Sequence, residues 1–153
     1  MFRLNRLVDY GVVLMSHIAA HTDRRFSAPG LASDLGLPVP VVSKVLKGLV
    51  HRGLLTSYRG AKGGYRLGRE ADAITVADII SAIDGPIALT HCIEDSDGTC
   101  GIESLCPQRG NWQIINHAVR NALADIRLSD LTAPLPPFFE PPLSKGGKDV
   151  TPL

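Results

Sequence analysis

The chain has 153 residues, 44% of them hydrophobic and 20% charged, with a formal net charge of +1. That length suits one compact domain or a small domain with an appendage, and no apolar run approaches the roughly 20 residues of a membrane-crossing helix. The small net charge hides a division: residues 1–70 carry eleven Lys/Arg against four Asp/Glu, and residues 71–153 carry five against eleven.

The first part therefore reads as a surface for a polyanion, and the second does not. The opening MFRLNRLVDYG holds no signal-peptide core and no cleavage site. A cytoplasmic protein with reduced thiols and no membrane association is the expectation.

In chain order, Leu4, Leu7, Val8, Gly11, Leu14, Met15 and Ile18 follow a 3,4 spacing, which predicts an amphipathic helix over residues 4–21. FSAPGLASDLGLPVPVVSKVLKGLVHRGLL then reads as two short helices. Ser27 caps the first, LGLP turns the chain, and Pro38 and Pro40 open the second, where a missing N–H costs nothing. In that helix Val42, Val45, Leu46, Leu49 and Val50 face inward, and Ser43, Lys44, Lys47 and His51 face outward. This is the pattern of a helix-turn-helix with a basic recognition helix. LLTSYRGAKGGYRLG follows as two short strands around a glycine-rich tip that bears Arg59 and Lys62. Glycines allow a tight turn and close backbone approach, and basic residues on such a tip suit phosphates or a minor groove.

The predicted fold is mainly α with a small β wing, a winged helix-turn-helix over residues 1–70. The candidate DNA-binding residues are Pro40, Ser43, Lys44, Lys47, Arg59 and Lys62. ITVADIISAIDGP predicts a further helix, opened by Thr75 and Asp78 and stopped at Gly85. Trp112, Ile115, Val119, Ala122 and Ile126 then recur at 3,4,3,4, a narrow seam on a helix over residues 108–127. Such a helix dimerises or folds back on its own domain. Residues 71–132 would thus hold the cysteine loop and a dimerisation helix. From Pro134 six prolines fall in twenty residues without periodicity, which predicts a disordered tail over residues 133–153.

All three cysteines lie in one polar stretch, HCIEDSDGTCGIESLCPQRGNW, with seven residues between Cys92 and Cys100 and five between Cys100 and Cys106. An odd number argues against a disulfide framework. The acidic residues and glycine around them argue against burial as core. Structural zinc favours closer cysteine pairs, although His91 could add a fourth ligand. An iron–sulfur cluster tolerates wider spacing, because its thiolates bind different irons, but three cysteines leave it one ligand short.

Together RLVDYGVVLMSHIA, the helix-turn-helix, YRGAKGGYRLG, ITVADIISAIDGP, the three-cysteine loop and LSDL resemble, in this order, the Rrf2 family of bacterial transcription regulators over residues 1–132. IALTHC and CPQRGNW are most similar to the branch that regulates the Suf iron–sulfur assembly operon. The resemblance implies a homodimer that binds a palindromic operator in double-stranded DNA. It implies a repressor of iron–sulfur assembly genes whose affinity depends on an iron–sulfur cluster, [2Fe–2S] in preference to [4Fe–4S]. Cys92, Cys100 and Cys106 are then ligands. In the Isc-regulator branch the fourth ligand is a histidine shortly after the third cysteine; Arg109 stands there in this chain, and a guanidinium cannot serve. In the nitric-oxide-sensing branch it is an aspartate on the first helix of the other subunit, and Asp9 occupies that position. Asp9 also falls opposite the apolar stripe of its helix, on the side shared by Arg6 and Val13. Asp9 from a partner subunit ranks first as the fourth ligand, His91 second, with His117 a more distant choice.

The competing readings are an iron-, redox- or nitric-oxide-responsive regulator of other genes, a regulator without a cluster, and a thiol redox enzyme. No C-x-x-C and no Ser/His/Asp arrangement supports the last, and a non-enzyme is expected.

Overall fold

A computed structural model describes residues 4–90, 93 and 106–132. Cys92, Cys100, His91 and the proline-rich tail read as disordered lie outside the described residues. Among the described residues five α-helices and one hairpin occur in the order α1 (Arg6–Ala20), α2 (Ala28–Leu35), α3 (Val39–His51), β1 (Leu55–Tyr58), β2 (Gly64–Leu67), α4 (Val76–Asp84) and α5 (Arg109–Ala124). Short 3₁₀ turns occupy Ala71–Ala73 and Leu128–Leu131. The mainly α fold with a small β wing is as the sequence predicted.

Local chemistry sets each boundary. Asn5 caps α1 by accepting the Leu7 N–H, and Ser27 caps α2 by accepting the Gly30 N–H at 3.1 Å. Phe26, just before that cap, and Leu31, one turn later, are buried in one cluster, a staple that fixes the angle at which the chain joins α2. Gly36 ends α2 at φ 65°, the left-handed turn of the helix-turn-helix. Thr75 and Asp78 form a reciprocal capping box on α4.

Leu14, Met15 and Ile18 of α1 meet Leu31 of α2, Val42, Val45, Leu46 and Leu49 of α3, and Leu54 and Leu55 at the hairpin. Ile74, Ile79 and Leu128 join the same cluster, so residues beyond the wing help close the core of the winged head. A smaller cluster of Val8, Ile80 and Ile87, with Leu123 packed against it, seats α5 on α4.

The strands pair antiparallel, Leu55 opposite Leu67 and Tyr58 opposite Gly64. Phe26 adds an isolated bridge to Tyr65 through two backbone hydrogen bonds of 3.0 and 2.7 Å, so the hairpin is anchored to the residues before α2. The seam helix is shorter than the predicted 108–127. It ends at Ala124 because the next residues find extended partners at the start of α4. Val76 N–H donates to the Ile126 carbonyl at 2.9 Å, and Leu128 N–H donates to the Ile74 carbonyl at 2.8 Å. Ile126 therefore lies past the helix and not in its seam.

Candidate DNA interface and cysteine loop

The recognition helix α3 has no side-chain cap; Pro38 stands at its N-cap and Pro40, exposed, in its first turn. Of its apolar stripe Val42, Val45, Leu46 and Leu49 are buried in the core and Val50 packs partly against it. That leaves Lys44 and Lys47 exposed and Ser43 half-buried on the outer side. The wing rises beside it: Lys47, Val50 and His51 of α3 share a groove of about 280 Å³ with Ser57 and Tyr65 of the hairpin.

The wing tip, residues 59–63, is closed by Gly63 N–H donating to the Gly60 carbonyl at 2.9 Å. Gly64 has φ 129°, and a Cβ there would lie 2.7 Å from the Phe26 carbonyl oxygen, so only glycine fits. Arg59 and Lys62 are exposed on this tip. Arg25, which sequence reasoning did not single out, braces it. Its Nη1 donates to the Lys62 carbonyl at 2.9 Å, and its guanidinium stacks 4.0 Å from the centre of the Tyr58 ring. The pair of arginines before Phe26 was the available signal. Among the described residues Lys44, Lys47, Arg59 and Lys62 form no ion pair, so their charge is unneutralised and presented to solvent. A helix for a major groove beside a basic, glycine-tipped hairpin is chemically suited to phosphate neutralisation and groove contact.

The cysteine loop begins and ends on α5. Asn116, 3% exposed, accepts the Leu89 N–H at 3.1 Å and donates to the Ile87 carbonyl at 2.9 Å. Ile93 is buried in a cavity shared with Gly110, Gln113 and His117 of the same helix. At the other end Cys106, a half-buried free thiol, lies just before α5, and its carbonyl accepts the Arg109 N–H at 3.4 Å.

Asp9 is exposed on α1, and its carboxylate makes no hydrogen bond or ion pair among the described residues. Val13, on the same side, is 41% exposed. His117 is exposed on α5. Among the described residues no three His, Cys, Asp or Glu side chains come together as a metal site. Cys106 is one soft donor beside the N-terminal end of α5, whose dipole favours negative charge there. Of the candidate thiolates Cys106 alone is among the described residues, and Arg109 remains unsuited as a ligand.

The seam residues are open in the single chain. Trp112 is 38%, Ile115 44% and the neighbouring Ile114 69% exposed. Among the described residues no helix is long and apolar enough to cross a membrane.

Fold and surface define a winged-helix DNA-binding regulator. The chain belongs to the Rrf2 family, described as "Iron-dependent Transcriptional regulator", whose model matches residues 4–134. It is 34% identical over 125 residues to the HTH-type transcriptional regulator CymR of Bacillus subtilis, covering 81% of this chain and 85% of the relative. It is 30% identical over 133 residues to the HTH-type transcriptional regulator IscR of Xenorhabdus nematophila, covering 84% and 78%. The solved structure of B. subtilis CymR, described as "the Global Cysteine Regulator", superposes with a TM-score of 0.67 at 32% identity, covering 86% and 97% of the two chains. That of T. potens IscR superposes with a TM-score of 0.62 at 27% identity, covering 85% of each.

Proposed function

We propose that this regulator acts in the cytoplasm as a homodimeric repressor of iron–sulfur assembly genes, controlled by an iron–sulfur cluster. Cys92, Cys100 and Cys106 are its thiolate ligands and Asp9 of the partner subunit is its fourth, with His91 the alternative. The observation that carries the proposal is the seating of both ends of the cysteine loop on α5, through Asn116 at one end and Cys106 at the other. The same helix exposes Trp112 and Ile115, an apolar strip suited to a second copy.

When bound, the cluster, [2Fe–2S] in preference to [4Fe–4S], supplies an oxidisable, iron-dependent link. The chain's own residues carry the consequence. Asp9 belongs to the helix that packs on α3 and α4, so a carboxylate held by the partner's loop fixes one head relative to the other. Pro40, Ser43, Lys44 and Lys47 face the major groove, and Arg59 and Lys62 reach for the minor groove. A dimer reads two half-sites of a palindrome at a spacing set by its geometry. Loss of the link then weakens binding to the pair without changing either head's contacts.

The test uses an operator selected by the protein from random DNA. Cys92→Ala, Cys100→Ala and Cys106→Ala should change affinity for the full palindrome and leave affinity for a single half-site unchanged. Equal effects on both DNAs would contradict the mechanism. The CymR relatives favour a second reading, a regulator of cysteine metabolism without a cluster. In that case the three alanine variants bind the palindrome as the parent does.

A further inference from the structure

A cavity of about 480 Å³ lies on the side of the wing away from α3. Strand register sets the two sides. Ser57 pairs with Tyr65, and both line the groove with the recognition helix; Tyr58 and Arg66, their neighbours in sequence, turn the other way and line this cavity. Arg24, before α2, and Arg66 and Arg69, at the end of the wing, converge on it from two stretches of chain, with Glu70 the one acidic residue among the described residues of its wall.

Each guanidinium is held but not saturated. Arg66 Nη2 donates to the Thr22 carbonyl at 2.8 Å, the carbonyl of a residue that also lines the cavity. Arg24 stacks 4.6 Å from the centre of the Phe26 ring and stands 3.8 Å from the Asp34 carboxylate. Arg69 stands 3.9 Å from the Asp78 carboxylate. Both ion-pair distances exceed hydrogen-bonding range, and both arginines are about half exposed. A guanidinium has five N–H donors in a fork matched to planar and tetrahedral oxyanions.

We propose that this cavity is an oxyanion site for a phosphate or sulfate group, independent of the cysteine loop and of the cluster reading. The bound group would bridge the end of α1, through Thr22 and Arg24, to the base of the wing, through Arg66 and Arg69. It would thereby stiffen the wing from behind. The same phosphate chemistry could arrive as a free oxyanion or as a backbone phosphate of flanking DNA, and the two sources are separable.

Inorganic phosphate is titrated into the full chain by calorimetry, with sodium chloride at matched ionic strength as the control. Saturable binding is expected, weakened roughly tenfold or more by Arg24→Gln and by Arg69→Gln, the loss of a charge-assisted hydrogen bond. Both residues are exposed enough for the variants to fold, and circular dichroism verifies it. A mixed-sequence DNA duplex decides the source. If DNA supplies the phosphate, the duplex displaces inorganic phosphate and each variant lowers duplex affinity with a salt slope smaller by about one. If the oxyanion is free, phosphate and duplex bind together and the variants leave the slope unchanged. Phosphate heats indistinguishable from chloride, with duplex binding unaltered in both variants, would overturn the proposal.

Discussion

The side chain of Asn116 holds the backbone of Leu89. Its amide oxygen accepts the Leu89 N–H at 3.1 Å while its nitrogen donates to the Ile87 carbonyl, and the Ile87 side chain is itself buried in the cluster with Val8 and Ile80. An amide that satisfies one donor and one acceptor of the same short segment fixes that segment's register on the helix. The cysteine loop starts two residues further on. Asn116→Ala leaves both backbone groups unpaired, at a cost of about 1–3 kcal/mol each at most. Urea denaturation should show a loss of roughly 2 kcal/mol. Asn116→Asp keeps the acceptor for Leu89 and sets a carboxylate against the Ile87 carbonyl, so it should be no better.

The wing depends on Gly64. Replacement by alanine forces an L side chain to φ 129° and drives its Cβ against the Phe26 carbonyl. A strained backbone of this kind costs on the order of 1–3 kcal/mol. Gly64→Ala should weaken DNA binding by displacing Arg59 and Lys62 while far-ultraviolet circular dichroism retains the helices. Unchanged affinity would mean that the wing does not touch DNA.

On α3 the two exposed lysines should behave differently from each other. Lys47, beside the wing groove, is expected to contact phosphate; Lys47→Ala then weakens all sequences alike and lowers the salt slope by about one. Lys44→Ala or Ser43→Ala should cost roughly 1–3 kcal/mol at one operator position and relax specificity there. A salt titration on selected and scrambled duplexes measures both. Normal binding by all three variants would remove α3 as the reading helix.

Trp112 tests the dimer. It is already 38% exposed in the single chain, so Trp112→Ser should leave the fold intact. A buried aromatic at an interface centre is worth about 2 kcal/mol or more. Sedimentation should show dimerisation weakened at least roughly thirtyfold, with the population shifted toward monomer. A dimer of unaltered strength would place the interface elsewhere.

Much of this architecture was legible because it is local. The 3,4 periodicity of Leu14, Met15 and Ile18, the caps at Ser27 and Thr75, and the glycines of the wing all act within a few residues of themselves. What escaped depends on contacts between distant segments. Nothing in the spacing around Ile126 signals that residues 126–128 will abandon a helix for the backbone of Ile74 and Val76. Nor does it signal that Phe26 will pair with Tyr65, or that Arg25 will buttress the tip 37 residues away. Asn116 was passed over because a single polar residue beside a hydrophobic seam reads as surface until its partners are known. The candidate ligands were legible as residue types and spacing. Asp9 and Cys106 are placed, the one open on α1 and the other at the foot of α5. The proposed meeting of the two across a dimer would be a matter of quaternary structure, which spacing along one chain does not encode.

The dimer and the cluster that the proposal requires can be measured in one step by native mass spectrometry of the full chain purified without oxygen. The account predicts a dimer carrying inorganic sulfide and iron in equal amounts, two cluster equivalents per dimer. Asp9→Ala should yield the same dimer with clusters that are lost sooner on exposure to air. A dimer or monomer at the mass of the polypeptide alone, or one carrying zinc in place of iron and sulfide, would contradict it.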